Sequence, residues 1–448
     1  MEPSTSYDSG SVRSGRGGRG GAHAQAGRQQ QQHRRQRHGA PDGGGGVRAY
    51  GLQYGNELMQ PEWMTDVPQD LASSWLVMPR PEGMRCLVVT SRGTTTSWLR
   101  NGAPLHRWQS PLPGGSPASS GGGGAVAAAV AAGDYCLLDC IFHPADNTYY
   151  IQDLLCWRGY ALYDCGTEFR LYWLTSKLAE EELLGPLAAP PAAVAATTHG
   201  ILPLPVYPCS SQGLRQAYGD GRPPPATASY QAIASAATAA AQCGGGGGAP
   251  LPPLPSAAAD PAGPGLGPGS SPAGDFVRDG LYFRHRQGHY APGPAPTPLA
   301  LLWKDAGCSR YLIDTDAKGI PLEHQLVVLS YRADRTVATE DEPPVVLGRL
   351  PEAFVAAMGD KLWPGRLLRF SIRQGGITFH EGRPAGADLH YEGPGQQRRG
   401  RADAFSKILF QRMARTAPLT AEALAEAVAV EEAAGVATRV GLAVVSAT

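Results

Sequence analysis

With 58 glycines and 40 prolines among 448 residues, the chain holds less packed core than its length allows, room for two or three domains at most. A formal net charge of zero excludes a global field that draws the protein to nucleic acid, so any anion site must come from local groups. No apolar run is long enough to cross a bilayer and no signal-peptide core opens the chain, so residence in cytosol or nucleus is expected.

Residues 1–47 are Gly, Gln, Ser and Arg with almost no large apolar side chains, which predicts a disordered arm. Arg85-Cys-Leu-Val-Val-Thr90 and Thr94-Thr-Thr-Ser-Trp-Leu99 read as strands around a Ser-Arg-Gly turn, the second ending at Asn101-Gly102. Low-complexity insertions are expected at 113–133 and 185–274. Between them, Tyr135–Phe142 and Thr148–Leu155 flank Pro144-Ala-Asp-Asn147 as an antiparallel hairpin. Phe169, Tyr172, Trp173 and Ser176 then fall at helical spacing behind a Thr167 cap.

Strands resume at Gly280–His285, Leu299–Lys304 and Tyr311–Asp314. Gly365–Ile372 and Ile377–His380 straddle Gly375-Gly376 as a second hairpin, fitting a small β-barrel over 340–416. A last helix starts at Thr420, with Glu422 in its first turn and Leu419 stapled to Leu424, inside a tail of 417–448. The fold class is α+β on antiparallel sheet. Cys86, Cys136, Cys140, Cys156, Cys165, Cys209, Cys243 and Cys308 include no C-x-x-C pair or zinc spacing, so neither metal nor cofactor is expected.

Several motifs together carry a resemblance: Glu62-Trp-Met-Thr-Asp-Val-Pro68, Ser91-Arg-Gly-Thr-Thr-Thr-Ser97, Leu112-Pro-Gly-Gly115, Cys156-Trp-Arg-Gly159, Tyr163-Asp-Cys165 and Phe169-Arg-Leu-Tyr-Trp173. With Asp279-Gly-Leu-Tyr-Phe283, His289-Tyr-Ala-Pro-Gly293 and Thr297-Pro-Leu299 they resemble snurportin over about half of the chain. The resemblance implies a domain over 50–335 similar to the nucleotidyltransferase domain of mRNA capping enzymes, binding the 2,2,7-trimethylguanosine cap of U-rich small nuclear RNAs. It implies shuttling between nucleus and cytoplasm, with importin-β as import partner and an exportin for recycling.

Capping enzymes attack the α-phosphate with the lysine of K-x-D-G-x-R, and the matching residues here are Arg80-Pro-Glu-Gly-Met-Arg85. A guanidinium stays charged and has no lone pair to offer, so Arg80 is no nucleophile. The enzymes' L-D-G-E appears as Leu138-Asp-Cys-Ile141, losing a carboxylate, while Asp279–Phe283 and Leu302-Trp303-Lys304 keep parts of later motifs. A nucleotide cleft without its chemistry is expected. The alternatives are a residual guanylyltransferase or a protein-binding adaptor with a decayed cleft.

By resemblance, Trp303 stacks on the cationic N7-methylated ring, although one extra residue after Thr297-Pro-Leu299 leaves the strand register, and so the face, open. Trp63 either contacts the methyls on the exocyclic nitrogen or packs in the core. Gln60 and Pro61 stand where the family has a Leu-Ser pair against the dinucleotide. Met84, Arg85, Cys86 and Arg100 complete the cap-binding candidates, with Arg92 as a neighbour. The Arg34-Arg-Gln-Arg37 cluster binds either importin-β or RNA without sequence preference; the family's amphipathic helix is missing from the arm.

Overall fold

Valine, threonine and aromatic residues suit a pleated, half-buried surface, and the computed structural model turns most of the apolar runs into strands. It describes residues 54–116, 134–181, 183, 199–219, 276–309, 312–315, 320–395 and 400–445; the expected arm at 1–47 lies outside them. In chain order come β1 (Gln60–Trp63), α1 (Leu71–Ser74), β2 (Trp75–Pro81), β3 (Met84–Ser91), β4 (Thr94–Leu99) and β5 (Pro104–Trp108). After these stand β6 (Cys136–His143), β7 (Thr148–Trp157), β8 (Tyr160–Ala161), α2 (Thr167–Glu180), β9 (Gly200–Pro203), β10 (Tyr207–Pro208) and α3 (Ser211–Tyr218). Next are β11 (Arg278–His285), β12 (Pro296–Trp303), β13 (Gln325–Tyr331), β14 (Thr336–Ala338) and β15 (Val346–Arg349). The series closes with α4 (Glu352–Met358), β16 (Leu367–His380), β17 (Arg383–Pro394), α5 (Phe405–Thr416) and α6 (Ala421–Val445).

One sheet runs β5-β4-β3-β6-β7-β8 with β9 on β7, and a second runs β1-β12-β11-β2-β10. Their pairing is antiparallel except for β1 with β12 and β7 with β9, so the α+β expectation holds with two parallel additions. Both early hairpins form as expected: β3 pairs with β4 around Arg92 and Gly93, which take positive φ, and β6 pairs with β7 around Asn147.

Successive residues of a strand face opposite sides, which sorts the core. Val77, Phe283, Leu301 and Trp303 face α3 and α6, while Met78, Tyr282 and Leu302 face Tyr150 and Leu204 across from the first sheet. On β3, Cys86 and Val88 pack in the cluster that includes Leu174 and Leu178 of α2; Leu87 and Val89 pack with Tyr290 and Ala300 of the second sheet's region. Two glutamates of α6 anchor the α1 and α3 ends: Glu431 accepts from the backbone N–H of Ala72 and Ser73, and Glu432 from Ser211.

Several expectations need correction. Residues 199–219, read as part of an insertion, are folded: β9 pairs in parallel with β7, and α3, capped by Ser210, buries Leu214 and Ala217. The low-complexity flanks at 184–198 and 220–275 hid this short amphipathic element. Within 113–133, Pro113–Gly115 are buried, with Thr90 Oγ1 donating to Pro113 O and Gly114 O accepting from Gly93; 117–133 lie outside the described residues. Tyr311–Asp314 is not a strand where described: Leu312 and Ile313 form a bend. On α2 the cap is Gly166, while Thr167, Arg170, Leu174 and Leu178 form the buried face; Phe169 and Tyr172 are exposed.

Gly375-Gly376 is a bulge and not a turn. β16 runs unbroken past it, its register to β17 shifting between Ile372 and Ile377, and the chain reverses at Glu381-Gly382. The third sheet, β15-β14-β13-β16-β17, curls until β17 meets β15, where a Cβ on Gly348 would stand 2.9 Å from Leu389 Cδ1: a nearly closed barrel. It begins with β13 at Gln325, so the boundary expected between 335 and 340 falls inside it, at β14. Thr420 caps α6 as expected, its Oγ1 accepting from Ala423 N at 3.3 Å, with Leu419 and Leu424 in one cluster.

Candidate functional site

A cleft of about 500 Å³ opens where β1, β3, β12 and the segment leading into α5 converge. Gln60, Pro61, Trp63, Met84, Arg85 and Arg100 all line it. Two of the expected site residues do not. Cys86 points to the opposite face of β3 from Arg85 and is fully buried. Trp303 is also fully buried, packed with Val77, Phe283 and Leu424, and its Nε1 donates to Leu419 O at 2.9 Å. Its neighbours Leu302 and Lys304 line the cleft instead, so alternation along β12 turns Trp303 away from any ligand held there. Arg92, on the β3–β4 turn, is outside the lining as well. The aromatic side chains facing the cleft are Trp63 and Tyr282.

The floor of the cleft holds an ion pair. Arg80 binds Asp279, which also accepts from Lys304 Nζ at 2.7 Å and from Ser309. Burial works against the Asp279 charge, but Lys304 and Arg80 outweigh it and hold the carboxyl below its ordinary value. Burial pulls the Lys304 amine down to about 8 against the attraction of Asp279, and the Arg80 charge adds to the fall. The floor of the cleft is thus a three-residue charge cluster closed on itself.

Arg85 is held as firmly. Its Nε donates to Asp139 Oδ1 at 2.9 Å, Nη2 to Oδ2 at 2.6 Å and Nη1 to the Tyr282 hydroxyl at 3.2 Å. Burial disfavours the guanidinium charge, yet Asp139 keeps it well above its ordinary value. Asp139 further accepts from Tyr290 and Arg284, and Arg284 lies 3.8 Å from Asp153, which takes a bidentate grip from Arg170 of α2. This alternating chain of buried charges fixes the angle at which Arg85 enters the cleft. Cys140 sits opposite Cys86 in the β3–β6 ladder as plain core.

Backbone geometry at the rim explains one glycine. Gly83 has φ +155°, and a Cβ there would lie 2.2 Å from Phe142 O; only a glycine lets β3 leave the cleft wall this close to β6.

The sequence reading missed the opposite wall. Glu340, Arg401, Ala402, Asp403, Ala404 and Lys407, from the barrel region and the start of α5, complete the lining. They are tied down: Arg401 donates to Gly55 O and Asn56 Oδ1, Asp403 accepts from Val328 N and Lys407, and Trp63 N donates to Ser406 Oγ. Phe410 of α5 packs on Trp63, ring centroids 4.9 Å apart. No periodic pattern marks Arg401–Lys407, which is why only contact in three dimensions exposes it.

Residues 57–223 match the family model of the Snurportin1 m3G cap-binding domain. Over this stretch, less than half of the chain, the sequence is similar to that domain. The match takes in the cleft wall of Gln60, Pro61, Trp63, Met84, Arg85 and Arg100, and it ends before Tyr282, Lys304 and the barrel side. Among solved structures, the chain is similar to a mycobacterial DNA ligase D complexed with ATP and MES, at 15% identity over 78% of this chain and 98% of that one, TM-score 0.27. It is similar also to the ligase domain of LigD from M. tuberculosis (14%, 75% and 94%, TM-score 0.26) and to a Lig E DNA ligase (12%, 75% and 98%, TM-score 0.24). Likenesses this loose carry no functional argument.

Proposed function

We propose that this chain binds the 2,2,7-trimethylguanosine cap of U-rich small nuclear RNA in the cleft, without catalysis, as an adaptor that accompanies the particle into the nucleus. The observation that carries the reading is that the snurportin-matched segment supplies one entire wall of the cleft. A cationic, flat purine is held best on an aromatic face, and Trp63 takes that role in place of Trp303. The dimethylated nitrogen can no longer donate, so it favours apolar contact; Pro61, Met84, Leu99 and Leu302 offer it. Arg85 and Arg100 face the phosphate bridge.

Catalysis would need an amine able to attack a phosphate where Arg80 stands, and Arg80 is instead locked on Asp279. Residues 1–47 would contact importin-β and an exportin would return the protein, giving a chain that shuttles between nucleus and cytoplasm. The domain, expected over 50–335, would give way to the barrel at Gln325.

The test is calorimetric titration of the full chain with trimethylated and monomethylated cap dinucleotides. Binding that prefers the trimethylated cap and is lost in Trp63→Ala supports the reading. Equal affinity for both caps, or an unaffected variant, would rule out a trimethyl-cap site.

A further inference from the structure

A capped RNA continues past its cap, so any cleft that holds the cap must let the following nucleotides out across one of its walls. The barrel-side wall ends at Ala404 and Lys407, and between them stands Phe405, the first residue of α5. The Phe405 ring meets Phe379 edge-on, with centroids 6.5 Å apart. Phe379 lies next to the tip of the β16–β17 hairpin and is 52% exposed, leaving much of its ring open to solvent.

Positive groups flank this path. Lys407 lies on the cleft side, paired to Asp403 but still partly exposed. Arg412, one face of α5 further on, rests against Gly376 three residues before Phe379, and no carboxylate pairs with it among the described residues. His380 and Arg383 are partners across the last rung of the hairpin, with Glu381 in the turn as the acidic group nearby. The other acids of the hairpin are engaged: Glu392 by Ser371, Arg373 and His390, and Asp388 by the Gly375 N–H.

We infer that the hairpin tip is a second RNA contact: the first nucleotides after the cap leave over Lys407 and Phe405, and one base stacks on Phe379 while Arg412 meets the phosphates. This rests on the cap-binding reading for its direction but not for its chemistry, since stacking and phosphate contact are tolerant of sequence and need no cap. The chain would then select capped single-stranded RNA over the free cap.

The experiment compares three probes on the full chain: trimethylated cap dinucleotide, a short trimethyl-capped single-stranded RNA and the same RNA uncapped. Variants are Phe379→Ala, Phe379→Trp and Arg412→Ala. The capped RNA should bind more tightly than the dinucleotide, and Phe379→Ala should remove roughly 5- to 150-fold of that surplus, the worth of one stacked base. Phe379→Trp should restore it, and neither Phe379 variant should alter dinucleotide affinity. Arg412→Ala should flatten the salt dependence of RNA binding. If the dinucleotide binds but the RNA extension adds nothing, or the surplus survives Phe379→Ala, the hairpin contact is overturned and the cap reading stands. If the dinucleotide fails to bind, the cap reading falls; uncapped RNA that still binds through Phe379 would uphold the hairpin contact by itself, and uncapped RNA that does not bind would overturn it.

Discussion

Truncating Trp63 and Trp303 separately should split ligand binding from stability. Trp303 is fully buried among Val77, Phe283 and Leu424, so Trp303→Ala opens a large cavity and should cost about 3–5 kcal/mol of folding stability. It also strands the Leu419 carbonyl that accepts its Nε1–H, loosening the start of α6. Cap affinity of the folded fraction should hardly change, because the side chain lies on the other face of β12 from the cleft. Trp63 is only half-buried, braced by Phe410 with the Lys304 amine 5.9 Å from its ring centroid. Losing one stacked aromatic face costs ~1–3 kcal/mol, so Trp63→Ala should weaken the trimethylated cap by about 5- to 150-fold. Urea unfolding reads the first effect and calorimetric titration the second, avoiding a fluorescence signal that the substitutions themselves remove. A Trp303→Ala protein with an unchanged unfolding midpoint and no cap affinity would refute the argument, for it would mean that Trp303 meets the ligand.

Asp279→Asn leaves Arg80 and Lys304 buried without their shared carboxylate, and should destabilise the chain by about 3–5 kcal/mol in urea. A loss below about 1 kcal/mol would mean that the pairs behave as solvated surface bridges. Lys304 carries a signature of its own in alkali. Its amine stays charged in the unfolded chain up to the ordinary value of 10.5 but in the folded chain only to about 8. Between those values the unfolded state binds the extra proton, so stability should rise with pH. Wild type should therefore gain on Lys304→Met from pH 8 to 10.5, whereas parallel stability curves would show an unshifted amine. Gly83→Ala forces a Cβ to 2.2 Å from Phe142 O at φ +155°, and a loss well above about 1 kcal/mol is expected; hydrogen exchange should show the β3–β6 rungs nearest Met84 opening first.

Where the fold was legible, local chemistry sufficed. The Ser-Arg-Gly and Pro-Ala-Asp-Asn turns marked their hairpins because Arg92, Gly93 and Asn147 supply the positive φ that tight reversals need. Thr420 and Glu422 marked the α6 start for an equally local reason, a cap and an acid on free N–H groups. Gly375-Gly376 deceived because a bulge and a turn draw on the same glycine freedom; only pairing with β17 across the pair distinguishes them. Residues 199–219 were lost between two compositional deserts. Trp303 illustrates the strictest limit. Its identity and neighbourhood were read correctly, yet one residue of register decides which side of a sheet it serves, and register is a property of β1, β11 and β12 together.

The same dependence on distant partners sets the charges of the cleft floor. Arg80 without a carboxylate would be an unpaired cation beside Lys304 in a largely buried floor, a costly arrangement. Asp279 resolves it by binding both. With both floor cations paired to Asp279, the other cations lining the cleft are Arg85, aimed by Asp139, Arg100, Arg401 and Lys407. An amine placed at residue 80 would not become a nucleophile, because Asp279 would still pair with it and hold it charged against the repulsion of Lys304. Arg80→Lys protein incubated with labelled GTP should form no covalent adduct, and an adduct would show that the floor retains catalytic geometry.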